Sequence, residues 1–477
     1  MKTPLWKMLA PVAATLVLLV LPAPEGLSTQ AWQYFSLFIG VVVALILEPV
    51  PAALSGLIGV VLAVVFRLVP QKAGAAVTTG SALSWGLSGF SNGTVWLIFV
   101  AFMFALGYER TGLGRRIALV LIKHLGKRTL GMGYAVALAD LVLAPFIPSN
   151  TARSGGTIYP IAKNIPEIYG STPDNEPRKM GSYLCWTALA ATCVTSSMFI
   201  TSLAPNLLAL SIVDKVAGQH ITWMEWLVGF LPVGVILFLL VPVLGYVLYP
   251  PTLKHSADIP RWAGEELAKL GPLSRRELTM ALLAVAALLL WIFGEHIMNA
   301  TTAGLVVLCL MALLGVVSWS DIIGNKQAWN VLVWFATLVT LAGGLGNVGF
   351  LAWFSAKAAT AMEGFSPTTV VVLMTVLFFV THYFFASVTA HVTALLPVFL
   401  STAMAIPGVP LRTTIFMLCF SLGIMGIITP YGTGPSPIWY GSGYVPGRTF
   451  WLLGAVFGAI FLLALLLIGM PWLSIVQ

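Results

Sequence analysis

The sequence is dominated by long, unbroken apolar runs, several of them near the length of about 20 residues that crosses a bilayer as a helix. Only 8% of the 477 residues are charged, against about 25% in ordinary soluble domains. Water cannot solvate a surface with so few charges, which excludes a soluble enzyme, a disordered chain and a disulfide scaffold. The continuous runs also differ from the alternating strands of a membrane barrel. The sequence therefore predicts an all-α polytopic membrane protein.

The apolar runs predict about eleven transmembrane helices and two interrupted stretches. The crossings are expected at 8–22, 31–48, 52–69, 93–109, 181–213, 227–249, 278–295, 300–317, 329–347, 411–428 and 449–473. The interrupted stretches cover 131–165 and 366–403, and small polar residues break each of them in its middle. Each is expected to enter and leave on one side of the membrane, as a re-entrant hairpin.

Basic residues are distributed unevenly between the two sides of this predicted arrangement. The N-terminal side carries Lys2, Lys7, Arg110, Arg115, Arg116, Lys123, Lys127, Arg128, Lys163, Arg178, Lys179, Lys254, Arg261, Lys269, Arg275, Arg276, Lys326 and Arg448. The opposite side carries Arg67, Lys72, Lys215, Lys357 and Arg412. Because cytoplasmic loops are enriched in Lys and Arg, we expect a cytoplasmic N-terminus and a periplasmic C-terminus in a cell inner membrane.

The two interrupted stretches resemble each other and form an internal repeat. The first contains Pro-Ser-Asn-Thr-Ala-Arg at 148–153, and the second contains Ala-Ser-Val-Thr-Ala-His at 386–391. A second interruption follows each one, at 201–206 and at 429–435. The predicted orientation opens the first hairpin to the cytoplasm and the second to the outside, which makes the repeat inverted. Paired interruptions of this kind indicate a transporter site near the bilayer midplane.

The residue types at these interruptions suit an anionic ligand. A broken helix exposes N–H groups that favour an anion, and short hydroxyl and amide side chains add donors for a carboxylate. The same oxygens could coordinate Na⁺ instead, so these residue types alone leave substrate and ion sites undistinguished. The candidate substrate-binding residues are Ser149, Asn150, Thr151, Arg153, Thr201, Ser202, Ser387, Thr389, His391, Thr429 and Pro430.

Arg153 and His391 occupy equivalent positions in the two hairpins. A charge at membrane depth costs at least about 2.5 kcal/mol, so Arg153 is a functional candidate that could face a dianion together with His391. Alternatively, Arg153 snorkels to an interface and His391 is a satisfied core histidine. Asp140, in the arm of the first hairpin, is a proton carrier, a paired structural carboxylate or a residue near the cytoplasmic face. The Ser and Thr residues could also be ordinary caps at the hairpin tips.

These motifs resemble the divalent anion:sodium symporter family, also called the dicarboxylate transporters. The resemblance covers nearly the whole chain and is carried by 144–153, 155–157, 386–391 and 429–442, together with 107–116. It is strongest to the bacterial citrate:succinate and tartrate:succinate antiporters and the plastid 2-oxoglutarate/malate translocators. It implies a homodimer in which each subunit moves a transport domain against a scaffold domain like an elevator.

Mapped onto this sequence, the resemblance divides the chain into five segments. It implies scaffold helices in 1–130 and 278–365, hairpins with transport helices in 131–250 and 366–477, and a cytoplasmic linker in 251–277. The mixed-charge linker carries helical spacing and is expected to form an amphipathic surface helix over part of 254–277.

The resemblance also implies that Ser-Asn-Thr motifs bind carboxylates and, in sodium-coupled members, line two Na⁺ sites. The first motif is intact, which leaves a possible residual Na⁺ site at Ser149, Asn150 and Ser202. The second has Val388 where coupled members have Asn, so a side-chain ligand is missing. We hypothesise that fixed protein cations replace Na⁺, and no cofactor is expected.

The expected function is secondary transport of di- or tricarboxylates, such as succinate, malate, 2-oxoglutarate, tartrate or citrate. A Na⁺-independent exchanger is favoured, and a Na⁺- or H⁺-coupled symporter is the alternative. No nucleotide-binding loop for a pump is present, and an intramembrane protease would need a second Asp beside Asp140 or a paired Ser and His. We therefore expect a transporter and not an enzyme, with the bilayer and a second copy as partners and no nucleic acid.

Overall fold

The computed structural model describes residues 4–70, 76–255, 257–294 and 296–476. In these residues the chain is helical, and the only β-type pairing is an isolated bridge between Arg128 and His255. This confirms the predicted all-α class. Lys2, Lys72 and Glu295, which the predicted orientation and crossings include, lie outside the described residues.

The described part of the chain forms helices of very different lengths. In chain order the α-helices are α1 (Leu5–Val20), α2 (Thr29–Leu47), α3 (Ala52–Val65), α4 (Thr79–Gly86), α5 (Gly93–Thr111), α6 (Leu113–Leu125), α7 (Thr129–Leu143), α8 (Tyr159–Ala162), α9 (Asn164–Glu167), α10 (Gly181–Met198), α11 (Ala204–Ala217), α12 (Trp223–Leu248), α13 (Asp258–Leu270), α14 (Arg275–Phe293), α15 (Ala300–Leu313), α16 (Trp319–Gly324), α17 (Lys326–Asn347), α18 (Phe350–Ala361), α19 (Pro367–Thr381), α20 (Val388–Ala405), α21 (Leu411–Ile424), α22 (Ser436–Gly441), α23 (Gly447–Ala464) and α24 (Met470–Val476). Two π-helical segments, Thr151–Ile158 and Leu465–Gly469, also occur.

Several helices begin at side-chain caps that the sequence supplies. The Ser28 hydroxyl accepts from the amide of Ala31 at the start of α2. Thr222 with Glu225 and Ser274 with Glu277 form reciprocal capping boxes at the starts of α12 and α14. Each cap satisfies amides that the first helical turn leaves without a partner.

Eight helices in the described residues are long and apolar enough to cross a membrane. They are Thr29–Leu47, Gly93–Thr111, Trp223–Leu248, Arg275–Phe293, Lys326–Asn347, Pro367–Phe384, Val388–Ala405 and Gly447–Val476. Five shorter apolar helices accompany them. Both arms of the second predicted hairpin are among the eight, so length alone does not separate a re-entrant arm from a crossing. The count of eleven crossings stays a prediction.

The chain divides into two compact units, and each draws on both halves of the sequence. Unit 1 contains Met1–Phe99, Leu207–Ile221 and Lys326–Cys419, and unit 2 contains Val100–Asn206, Thr222–Asn325 and Phe420–Gln477. The first hairpin therefore belongs to unit 2 and the second to unit 1. The assignment of segments to scaffold and transport roles stays a prediction.

Unit 1 is held together by close approaches of α2 and of residues 88–91 to α17. The Tyr34 hydroxyl donates to the carbonyl of Leu341 at 2.6 Å, and the amide of Gly89 donates to Thr340 Oγ1 at 3.0 Å. A Cβ atom at Gly89 would collide with the backbone of α17, so glycine is required for this contact. Small residues at helix crossings are typical of membrane bundles.

Unit 2 is built around α10, in which every residue from Gly181 to Met198 is buried. At one end of the unit, α13 packs against α6. Arg115 pairs with Glu266 at 2.8 Å, which fastens the two helices together. Helix α13 is the helix that the sequence predicts within 254–277. Its position on the cytoplasmic surface stays a prediction.

Candidate functional site

The first hairpin turns back on itself at a non-helical segment. Helix α7 ends at Leu143, and helical structure resumes at Asn150. The Ser149 hydroxyl accepts from the amide of Ala152 at 3.1 Å, and the amide of Arg153 donates to the Ser149 carbonyl at 2.9 Å. Ser149 therefore caps the returning arm, which continues as a π-helix over Thr151–Ile158. Such π-helical segments are frequent at functional sites.

The second hairpin uses the same cap. The Ser387 hydroxyl accepts from the amide of Ala390 at 3.4 Å, and the amide of His391 donates to the Ser387 carbonyl at 3.1 Å. The equivalence of the two motifs is therefore visible in their local hydrogen bonds. The returning arms differ, however, because α20 is a continuous α-helix of 18 residues.

Three interrupted segments meet inside unit 2. The first is the hairpin turn at 144–149, and the second is the break between α10 and α11 at 199–203. Two hydrogen bonds join these two segments. The Ala204 amide donates to the Pro148 carbonyl at 2.8 Å, and the Thr201 hydroxyl donates to the Pro145 carbonyl at 2.6 Å. These hydrogen bonds hold the turn of the first hairpin against the break between α10 and α11, and the sequence predicts both interruptions.

The third interruption lies between α21 and α22, at 428–435, and it contacts the first hairpin. Asn150 Nδ2 donates to Thr433 Oγ1 at 2.7 Å, and both side chains are buried. The backbone of Gly434 lies so close to Thr151 that a Cβ atom there would collide with the Thr151 hydroxyl. Unit 2 thus brings the polar segments of both sequence halves into direct contact.

Thr429 and Pro430 begin this third interruption. Thr429 is fully buried, and its hydroxyl has no hydrogen-bond partner within the described part of the chain. The Thr429 carbonyl accepts from the amide of Gly432 at 3.3 Å, which tightens the turn. A buried hydroxyl without a partner is costly, so this group is available to a ligand.

Arg153 is fully buried, and its guanidinium makes several polar contacts within unit 2. It pairs with Asp140, with 3.1 Å between Nε and Oδ2. Its Nη1 donates to the carbonyls of Ile147 at 2.7 Å and Ser202 at 2.8 Å, one at each of two helix breaks. The hydroxyl groups that it also contacts are those of Thr192, Thr195 and Ser196.

Arg153 and Asp140 form a buried ion pair, so the Arg153 charge has a carboxylate partner. The role of Arg153 in substrate binding stays a prediction. Asp140 also accepts hydrogen bonds from Thr192 at 3.1 Å and from Thr195. Of the alternatives for Asp140, the structure favours the paired structural carboxylate, because Asp140 is buried beside Arg153.

The Ser202 side chain donates to nearby backbone carbonyls of unit 2. Its hydroxyl donates to the carbonyls of Ser196 and Phe199, each at 2.7 Å. The candidate residues that unit 2 brings together are Ser149, Asn150, Thr151, Arg153, Thr201, Ser202, Thr429 and Pro430.

The remaining candidates, Ser387, Thr389 and His391, lie in unit 1. His391 is fully buried, and neither ring nitrogen has a hydrogen-bond partner in the described residues. Its ring lies against Phe378, Phe385 and His382, with centroid distances of 4.4, 4.9 and 5.1 Å. An imidazolium at this position would have no carboxylate beside it among these neighbours.

Sequence reasoning did not select the hydroxyl groups that surround Arg153. Thr192, Thr195 and Ser196 line one face of α10 at helical spacing. That spacing, in an otherwise apolar helix beside a buried arginine, is a signal that could have identified them. Thr433 lies inside a motif that the sequence identifies, but its pairing with Asn150 joins residues that are distant in the chain.

Comparisons with known proteins agree with this architecture. The sodium:sulfate symporter transmembrane region family matches residues 2–477. The L-tartrate/succinate antiporter of Escherichia coli K12 is 48% identical over 99% of this chain and 98% of its own length, and that of Shigella boydii serotype 4 is 47% identical over the same shares. The YdaH transporter of Alcanivorax borkumensis has a similar fold, with a TM-score of 0.55 at 16% identity over 84% of this chain and 89% of its own.

Proposed function

The chain belongs to the sodium:sulfate symporter family, and on that premise we propose that it is a secondary active transporter that exchanges di- or tricarboxylates across the cell inner membrane. It is a multi-pass membrane protein of a transporter family, and we expect it to act as a transporter and not as an enzyme. The relatives described above are L-tartrate/succinate antiporters, which makes succinate and tartrate the first substrates to test.

One observation supports this proposal most strongly. Three helix interruptions meet within unit 2, and at the first of them Ser149, Asn150 and Thr151 lie at the start of a helical segment. Helix starts carry partial positive charge, and a carboxylate needs short donors. We assign Ser149, Asn150, Thr151 and Thr429 to one substrate carboxylate.

The second hairpin supplies the matching set in the proposal. Ser387 and Thr389 form a second candidate carboxylate-binding site within unit 1, because their cap repeats that of Ser149. His391 would act in its neutral form, since its neighbours include no carboxylate.

Arg153 acts in this proposal as a positioning residue. Its Nη1 donates to the carbonyls of Ile147 and Ser202, one at each of two helix breaks of unit 2. A protein cation placed between these carbonyls satisfies oxygens that a mobile cation could otherwise coordinate. We therefore propose Arg153 as the fixed protein cation that replaces Na⁺.

Exchange is favoured over ion coupling for two reasons. Val388 offers no oxygen where the first motif has Asn150, and the relatives described above are antiporters. The family description names sodium symporters, which keeps Na⁺-coupled transport as the alternative. The proposal includes an elevator movement in a homodimer, a cytoplasmic N-terminus and a periplasmic C-terminus.

The test is uptake of labelled succinate into proteoliposomes. Empty vesicles are compared with vesicles that contain unlabelled succinate or tartrate, each in Na⁺ and in K⁺. Exchange predicts uptake only into loaded vesicles, at the same rate in both salts. Accumulation in empty vesicles under a Na⁺ gradient would establish the symport alternative and overturn the exchange proposal.

A further inference from the structure

A cavity of about 210 Å³ lies between α1, α2 and α3 of unit 1. It is larger than an engineered apolar cavity of about 150 Å³ that holds benzene. Its walls are mainly apolar and include Met8, Val12, Ala44, Ile58 and Leu62.

The cavity opens on an apolar surface of unit 1. Three of its wall residues are among the exposed apolar side chains of the chain: Met8 is 48% exposed, Val12 53% and Ile58 44%. Helix α1 has no buried residue in its length from Leu5 to Val20. In a membrane protein, the molecules in contact with such a surface are the hydrocarbon chains of the bilayer.

One wall residue is polar and lacks a partner. Ser55 is 4% exposed, lines the cavity, and its hydroxyl has no hydrogen-bond partner within the described residues. It lies in the first turn of α3, next to the connection from α2 at Pro49. The end of an apolar helix lies near the edge of the hydrocarbon core, where lipid ester groups are found. A buried hydroxyl gains by donating to such a group.

We propose that this cavity binds one acyl chain of a membrane glycerophospholipid, with an ester carbonyl of that lipid accepting a hydrogen bond from Ser55. The apolar walls exclude a charged substrate, and the open side admits a chain directly from the bilayer. The proposal does not depend on the transport mechanism, because no residue of the candidate transport site lines the cavity.

The experiment uses the full chain reconstituted in vesicles of phosphatidylethanolamine and phosphatidylglycerol. A trace of phosphatidylethanolamine with a diazirine on one acyl chain serves as the probe. The protein is extracted in detergent and passed through gel filtration, so that only retained lipid remains before irradiation. Mass spectrometry of the peptides then locates the label. We expect label at Met8–Thr15, 37–44 and 55–62.

Two variants and one control separate a bound lipid from incidental contact. Ala44→Leu fills part of the cavity and is expected to reduce retained label several-fold. Ser55→Ala removes the hydroxyl at nearly constant volume and is expected to reduce it as well. Ala13→Leu is the control, since Ala13 is an exposed position of α1 outside the cavity wall.

Several outcomes would overturn the lipid site or its ester contact. Loss of all label after gel filtration, or equal retention in Ala44→Leu and the control, would overturn the proposal. Normal retention in Ser55→Ala would overturn the ester contact. Label confined to other segments of the chain would also overturn the proposal. Each variant is scored only if it elutes as wild type, and Ser55→Ala keeps the proposal testable should Ala44→Leu fail to fold.

Discussion

Arg153 and Asp140 form an ion pair in which the two side chains are 0% and 1% exposed. The same guanidinium joins the backbone at two helix breaks, through the carbonyls of Ile147 and Ser202. The pair is therefore electrically balanced, and it also fixes the ends of two segments that form the candidate site. These two properties can be separated by mutation.

Asp140→Asn should destabilise the protein strongly. The substitution leaves the Arg153 charge buried without a partner, and breaking a buried pair in this way costs about 3–5 kcal/mol. The measurement is the midpoint of thermal unfolding in detergent, combined with succinate exchange. Asp140→Asn with Arg153→Gln should regain part of the stability, because neither charge remains. The rate of succinate exchange should stay low in this double variant, because the carbonyls of Ile147 and Ser202 have lost the Arg153 guanidinium as their donor.

An exposed pair provides the control for this prediction. Lys179 and Glu176 form an ion pair with side chains 30% and 61% exposed. Exposed pairs contribute about 0–1 kcal/mol, so Glu176→Gln should change the unfolding midpoint little. A midpoint for Asp140→Asn equal to that of Glu176→Gln would contradict the structural role of the buried pair.

The positions of the helix breaks could be predicted from the sequence, because polar and Gly/Pro residues interrupt apolar runs at 148–153 and 429–435. The cap at Ser149 follows from the same local pattern. The pairing of Arg153 with Asp140 could not be predicted. The two residues are 13 positions apart across a non-helical turn, and the path of that turn decides which side chains meet.

The grouping of segments into units was also beyond the sequence. Helical periodicity identifies an apolar helix but not the helix that it packs against. Thr433 and Asn150 illustrate this, since they are 283 residues apart and yet share a hydrogen bond. Only the packing of the interrupted segment at 428–435 against the first hairpin brings them together.

The hydrogen bond between Asn150 and Thr433 should tune substrate affinity. A neutral hydrogen bond contributes about 0.5–1.5 kcal/mol, so Thr433→Ala should raise the apparent KM for succinate about 2- to 10-fold. Thr433→Ser keeps the hydroxyl and should behave as wild type. Asn150→Ala combined with Thr433→Ala should be less than additive, because the two residues share one interaction. Strict additivity of the two effects would show that the contact is not used.

Gly434 should not tolerate a side chain. A Cβ atom there would collide with the Thr151 hydroxyl, and overpacking of this kind costs about 1–3 kcal/mol. We expect Gly434→Ala to lower both the unfolding midpoint and the exchange rate. Gly441→Ala is the matched control, because a Cβ atom at Gly441 meets nothing within 4 Å. Adding Thr151→Ala should restore the midpoint of Gly434→Ala, and a failure to do so would place the cause elsewhere.

The docking of α13 should depend on pH. A hydrogen bond from Lys269 and then the charge of Arg115 lower the pKa of the Glu266 carboxyl from its ordinary value. Its stabilising contribution is therefore present above about pH 4.3 and is lost as the pH falls through the lowered pKa of Glu266. Hydrogen exchange of Asp258–Leu270, corrected for intrinsic rates, should show more protection in wild type than in Glu266→Gln at pH 7.

This difference between wild type and Glu266→Gln should disappear at low pH. Glu265 is the control, since it is exposed and makes no ion pair within the described residues. Glu265→Gln should match wild type at both pH values. Equal protection of wild type and Glu266→Gln at pH 7 would contradict the prediction.

Val388→Asn should introduce a response to Na⁺. The substitution completes a Ser-Asn-Thr motif in the second hairpin, and Val388 is a buried residue at the start of α20. A carbonyl oxygen there supplies the side-chain ligand that the proposed exchanger lacks. We expect succinate uptake to become about fivefold faster in Na⁺ than in K⁺, the lower end of ordinary coupling between two ligands.

The control for this last substitution is Val388→Ala, which changes the same buried position without adding an oxygen. It should remain indifferent to Na⁺, whatever its effect on rate. Val388→Asn should also lower the unfolding midpoint in K⁺, because a buried amide without partners costs about 1–3 kcal/mol, and added Na⁺ should restore it. If folded Val388→Asn protein responds equally to Na⁺ and K⁺ in both uptake and unfolding, the missing side-chain ligand does not explain sodium independence.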